Sequence, residues 1–433
     1  MTPIEIGFVG IVVLVLLIFA RMHIGISMTL VGFVGFAWIV GWDPALGLLR
    51  TVPYSTFASQ GMSVIPLFIL MGSFAFAAGM SEDLYRTVHN MLGHLKGGLA
   101  MATVVACACF AAISGSSLAT AATLGRVAMP EMKKYNYDPG LATGSIAAGG
   151  SIGILIPPSV ILIIYGIITE QSIGKLFLAG FIPGILEAVF YIITIMILTR
   201  RRPELGPPGP RTTLNEKLFS LLKTWEVMAL FIVVIGGIYL GVFTPTEAAG
   251  VGAFGTFLFS IMRRKMDWQT LKSSLLSTAN TTGMLFLIVL GAMILGYFFS
   301  VSRLPFELAS WVGGWPVNRY VILLMILGVV GVLGCIMDSM AIVLLTIPVF
   351  FPMIEQLGFD PIWFGILVVR VTEMGLITPP VGLNVYIIQG ITGEPMGTIF
   401  KGVIPFIVAD VCEIILLILV PQISLFLPGL MAG

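Results

Sequence analysis

Two sets of short hydroxyl and glycine residues interrupt otherwise apolar stretches of this chain, and their types are those that hold small ions. The first is Ser114-Gly115-Ser116-Ser117, followed by Gly149-Gly150-Ser151-Ile152-Gly153 and Pro157-Pro158-Ser159. The second runs from Gly334 through Met337, Asp338 and Ser339 to Thr372-Glu373-Met374-Gly375 and Thr378-Pro379-Pro380. A Pro-Pro inside an apolar helix removes two N–H donors and frees carbonyls upstream, and lipid cannot satisfy them. They must face protein, water or a bound cation. Carbonyl and hydroxyl oxygens are the hard donors that Na+ prefers, while half-helix N-termini can face an anion. One Na+ site is expected from Gly115, Ser116, Ser117, Gly150, Ser151 and Gly153, and a second from Met337, Asp338, Thr372, Gly375 and Thr378.

The elements that carry these breaks follow from composition. Of 433 residues 58% are apolar and 10% charged, against about 25% charged in an ordinary soluble domain. Lipid must therefore be the main solvent. Fifty residues are glycine, well above the roughly 7% average, which suits close helix contacts in membranes. The net charge of +1 offers no footprint for nucleic acid. Cys107, Cys109, Cys335 and Cys412 lie in apolar stretches without zinc or redox spacing, so they are read as core residues, with no metal other than Na+ and no cofactor. The start of the chain has an acidic residue where a signal peptide is basic, so the first apolar segment is expected to stay as a membrane helix.

Apolar runs near the roughly 20 residues that cross a bilayer are expected at 4–20, 24–41, 62–78, 176–198, 222–242, 247–262, 278–300 and 403–425. Four more stretches, 98–129, 141–168, 322–351 and 362–388, carry the interruptions. Reading the breaks near Ser114 and Met337 as re-entrant hairpins gives about ten spans with both termini outside, and sixteen of the 22 Lys and Arg fall on the cytoplasmic side. His23, His89 and His94 then lie in cytoplasmic loops.

Shifting the chain by 222 residues superposes Asp138-Pro139 on Asp360-Pro361, Gly153 on Gly375, Pro157-Pro158 on Pro379-Pro380, Gly180 on Gly402 and Pro183 on Pro405. Each glycine and proline fixes a backbone feature, so their joint register marks a repeat. In the threading above, the second copy is inverted relative to the first. Interrupted helices at matching places in two inverted halves point to a midplane binding site. The fold class expected is all-α integral membrane, with two inverted repeats.

The strings SGSSLATAATLG, IGILIPPSV, MDSMAIVLLTIPVFFP and ITPPVGLNVY resemble the large membrane subunit of the tripartite ATP-independent periplasmic (TRAP) transporters, of the ion-transporter superfamily. The resemblance implies elevator-type alternating access, Na+ coupling and uptake of a small organic acid into a bacterium across its inner membrane. It also implies a periplasmic substrate-binding protein and a small four-helix membrane subunit, expected here as a separate polypeptide. Ser117, Ser159, Arg370 and Asn384 are the expected substrate contacts, Arg370 because a guanidinium matches a carboxylate in bidentate geometry. The bland alternative for Arg370 is an internal pair with Glu373, one turn away. The alternative for Asp338 is a cap on the N-terminus of a half-helix.

The domain plan expected is scaffold helices over 1–80, a cytoplasmic interfacial arm over 81–96, a transport core over 97–183 and connecting scaffold over 184–275. A second scaffold helix with an outer arm follows over 276–315, then a second transport core over 316–405 and a C-terminal helix over 406–433. An intramembrane protease would need a facing histidine or a second tip aspartate, and no phosphate-cradling Gly-Lys-Ser/Thr loop is present. A channel would line its pore by oligomerisation, whereas one chain here supplies both halves of a site. A self-sufficient Na+/dicarboxylate symporter of the same superfamily is the remaining alternative, and the substrate stays open.

Overall fold

The structure, a computed structural model, describes residues 1–314 and 316–431; Trp315, at the end of the expected outer arm, and the last two residues lie outside them. Among the described residues all regular structure is helical. The first quarter forms α1 (Pro3–Phe19), α2 (Ile24–Val40), α3 (Trp42–Phe57), α4 (Val64–Ala77) and α5 (Met80–Leu92). The first copy of the repeat follows as α6 (Gly98–Ser114), α7 (Ser117–Lys134), α8 (Pro139–Ser151), α9 (Val160–Ile168) and α10 (Ile173–Arg201). Next come α11 (Leu214–Lys223), α12 (Trp225–Tyr239), α13 (Pro245–Met262), α14 (Trp268–Ser302) and α15 (Leu304–Gly313). The second copy is α16 (Arg319–Gly334), α17 (Ser339–Gln356), α18 (Pro361–Gly375), α19 (Leu383–Thr392) and α20 (Met396–Leu419), with α21 (Gln422–Leu430) last.

The breaks fall where glycine, serine and proline interrupt the apolar pattern. Gly115 takes φ 61°, a left-handed conformation that ends α6 without a Cβ penalty. The Ser116 hydroxyl then accepts from the Ala119 amide and starts α7. At the equivalent place, 222 residues on, Asp338 accepts from the Met340 and Ala341 amides at 3.1 Å and starts α17. Asp138 and Asp360 cap α8 and α18 in the same way, each with proline at the first helical position. Both Pro-Pro pairs, Pro157-Pro158 and Pro379-Pro380, are cis and lie between the halves of a broken helix. Thus α7 and α17, both 18 residues long, begin at equivalent residues, as do α8 and α18.

The copies interlock. The second hairpin arm of each, α7 or α17, packs on the terminal half-helix of the other, α19 or α9, and α8 meets α20 as α18 meets α10. Around this core, α2 lies along α14, α4 along α13, and the short amphipathic α5 and α15 lean on α7 and α17. Backbones touch because glycines line the seams. A Cβ on Gly402 would collide with the Gly140 carbonyl, and one on Gly32 would lie 2.7 Å from the Leu295 amide nitrogen. Gly402→Ala is expected to lower the stability of the folded protein by about 1–3 kcal/mol, seen as an earlier melt in nanodiscs, whereas Gly397→Ala, which faces open space, is expected to melt as the parent does.

Several expected boundaries are corrected. The expected divisions at 183/184, 275/276 and 405/406 fall inside continuous helices α10, α14 and α20, with Pro183 and Pro405 accommodated within theirs. The run expected over 222–242 is broken at Thr224 by a 50° bend. The run expected over 403–425 instead forms α20 from Met396 and stops before Pro421. Helix α3 has no counterpart among the expected runs. By length and composition five of the described helices can cross a membrane, six with the bent pair counted as one, and the other apolar runs are shorter helices. At 35 residues, α14 is about 52 Å long at 1.5 Å per residue, so it outreaches the roughly 30 Å hydrocarbon layer.

The cysteines divide: Cys107 is buried, Cys109 and Cys335 are half-buried, and Cys412 is exposed, so the reading of all four as core residues holds fully for Cys107 alone. His89 lies within α5 and not in a loop, and burial holds its imidazole below the ordinary range.

Candidate functional site

The two hairpin tips open onto one cavity of about 480 Å³. Gly115, Ser116 and Ser117 line it from the first tip, and Asp338, Ser339 and Met340 from the second. A neighbouring cavity of about 400 Å³ shares Gly115, Ser116, Thr281, Leu285 and Met340 with it and extends past Ser114 and Thr123 to Arg126. Both lie between the repeat core and the flanking helices, since Ser73 comes from α4 and Ser277 from α14.

At the first expected ion site, Gly115 lies against the Pro158 carbonyl, 3.1 Å from where its Cβ would be. Gly150 lies against the Ser117 carbonyl, at 3.2 Å by the same measure. The tip of one hairpin therefore meets both sides of the break in its broken helix. Gly153 packs against Ala111 and Thr120 one turn deeper. The Ser151 hydroxyl turns elsewhere: it donates to the Ala148 carbonyl at 2.6 Å and lies 3.3 Å from Glu187.

The second expected site repeats the arrangement. Gly334 packs against Gly375 and the Thr372 carbonyl, and the Gly382 amide donates to the Cys335 carbonyl at 3.3 Å. The hydroxyls of Thr372 and Thr378 are given to carbonyls of their own helix, Val369 and Met374. Met337 is partly buried against the core, and Asp338 both caps α17 and lines the cavity.

Three of the four expected substrate contacts do not line either cavity. Ser117 does. Ser159 is buried and caps α9 by accepting from the Leu162 amide. Asn384 is buried and donates to the Ala147 carbonyl at 3.2 Å. Arg370 is fully buried and is held by three carboxylates, through Nε to Glu413 at 2.8 Å, Nη2 to Asp410 at 2.5 Å and Nη1 to Glu187 at 3.3 Å. Its partners come from α10 and α20, not from Glu373, so the internal pair with Glu373 is replaced by a four-residue charge cluster joining three helices. Spacing along one helix could not show this. The isolated acids in the apolar runs of α10 and α20 were the available signal, since an intramembrane carboxylate needs a partner.

Glu373 lies instead between the two tips. It is fully buried, accepts from the Ser339 hydroxyl at 2.6 Å, faces the Ser117 hydroxyl, and has one oxygen without a partner. Sequence spacing tied it to Arg370 and so concealed this place. His23, expected in a cytoplasmic loop, lies in the short connection just before α2 and lines the same cavity as Asp338.

Paired tips and paired broken helices in a duplicated helical core are features that membrane transporters place around a binding site. The family described as the DctM component of the tripartite ATP-independent periplasmic transporter matches residues 11–423, and the chain belongs to it, as a large permease subunit. It is 37% identical over 377 residues, covering 87% of this chain and 88% of the other, to the C4-dicarboxylate TRAP transporter large permease protein DctM of Pseudomonas aeruginosa. It is 32% identical over 427 residues, covering 96% and 97%, to the sialic acid TRAP transporter large permease protein SiaM of Vibrio cholerae. Among solved structures, the YdaH transporter of Alcanivorax borkumensis shares the fold with a TM-score of 0.64 at 16% identity, over 89% of this chain and 88% of that one. Membership of a tripartite family implies a small membrane subunit and a periplasmic binding protein as partners.

Proposed function

We propose that this chain carries a small organic acid anion into the cell together with Na+, across the bacterial inner membrane, by elevator-type movement of a core holding both hairpins. The observation that carries the reading is the cavity onto which both tips open, with Asp338 at one tip and each tip packed against its broken helix. A cation bound at the carbonyl-rich breaks would draw tip and broken helix together, and so close the site around an anion. The relatives named for C4-dicarboxylate and sialic acid both handle carboxylates, and the dicarboxylate is the first candidate here. On this reading the two copies lie in inverted orientation, with about ten spans and both termini periplasmic. The small four-helix subunit steadies the flanking helices, and the binding protein delivers the substrate.

Because the ion-site features occur twice, at least two Na+ accompany each substrate, and inward positive charge gains about 2.3 kcal/mol per charge at 100 mV. Succinate uptake into vesicles holding this chain, its small subunit and the binding protein is expected to need a Na+ gradient and to quicken with inside-negative potential. Equal uptake in Na+-free buffer with a proton gradient would sink the coupling. Uptake by this polypeptide alone would point to a self-sufficient symporter.

A further inference from the structure

We infer that Arg126 is the cation that receives the substrate carboxylate. The inference rests on the organic-anion reading above and adds the residue that makes it selective. Arg126 lies on α7, ten residues beyond Ser116, or about 15 Å along a helix rising 1.5 Å per residue. Helical side chains lean toward the N-terminus, here the direction of the tip, and Arg126 and Ser116 line one cavity of about 400 Å³. No other charged residue lines that cavity. Among the described residues Arg126 has neither an ion pair nor a hydrogen bond, whereas Arg263 and Arg370 are each held by two or more carboxylates.

The charges are laid out in sequence across Ser116. Asp338 stands in the cavity on one side and Arg126 in the cavity on the other. A cation and an anion bound together are thereby sorted, the cation toward Asp338 and the anion toward Arg126. Upkeep of the fold does not ask for an arginine here, because the position 222 residues on is Pro348. The planar fork of five donors fits a carboxylate in bidentate geometry, with the hydroxyls of Ser116 and Thr281 left for the remaining oxygens.

The test is binding to the purified complex of this chain and its small subunit in nanodiscs at saturating Na+, followed by thermal shift. The probes are succinate, sialic acid and succinamide, the neutral diamide. The wild type is expected to respond to at least one acid and not to succinamide. Arg126→Gln is expected to raise the apparent Kd for that acid at least tenfold and leave half-saturation by Na+ unchanged, with Arg126→Lys falling between. Wild-type affinity for the acid in Arg126→Gln would overturn the inference and leave the organic-anion reading standing. A wild type that responds to Na+ and to neither acid would overturn both.

Discussion

Arg370→Met is expected to cost ~3–5 kcal/mol of stability, the range for removing one partner from a buried ion pair, and to collapse the yield of folded protein. The guanidinium is the cation common to Glu187, Asp410 and Glu413, and each of these acids also has an oxygen with no partner. Removing it leaves three carboxylates facing one another where water does not reach. Arg370→Met combined with Glu187→Gln, Asp410→Asn and Glu413→Gln removes the stranded charge and is expected to recover much of the melting temperature. The melt of each variant in nanodiscs, with the size-exclusion profile, checks this. If Arg370→Met folds with a parental melt and fails only in substrate binding, the guanidinium serves the substrate and not the cluster.

Glu373→Gln is expected to have the reverse profile, with the fold retained and transport lost. Glutamine keeps the acceptor for the Ser339 hydroxyl and removes a buried carboxylate that has one unpartnered oxygen, so the melting temperature should hold or rise. The carboxyl group faces a hydroxyl from each hairpin tip, and its unpartnered oxygen is free to meet a cation bound at either. Half-saturation of uptake by Na+ is expected to rise at least tenfold, and the maximal rate to fall about a hundredfold or more. A Na+ titration of uptake in vesicles measures both. An unchanged titration in Glu373→Gln would show that the residue only fastens the tips together.

The breaks were legible in the sequence because glycine and proline act locally. Gly115 ends a helix by its own φ, and Pro157-Pro158 and Pro379-Pro380 interrupt a helix wherever they stand. The same local chemistry offered a cap as one reading of Asp338. The charge network was not legible, since Arg370 meets Asp410 and Glu413 some 40 residues away and Glu187 farther still. One-turn spacing suggested the wrong partner, and with it the wrong role for both Arg370 and Glu373. Arg126 was visible as a charge in an apolar run, but the cavity that gives it meaning is formed by α4 and α14.

The two halves keep one frame and have divided the labour. At equivalent places the first copy has Ser116, Arg126, Ala148 and Ser151 where the second has Asp338, Pro348, Arg370 and Glu373. Caps, breaks and seams are held in common, while the charged groups sit on one copy or the other. Duplication thus freed each half to specialise, as a pair of duplicated genes can, and left the tip of the second copy acidic and the arm of the first basic. A molecule built from two first copies, or from two second copies, would keep the frame and lose the polarity that tells cation from anion.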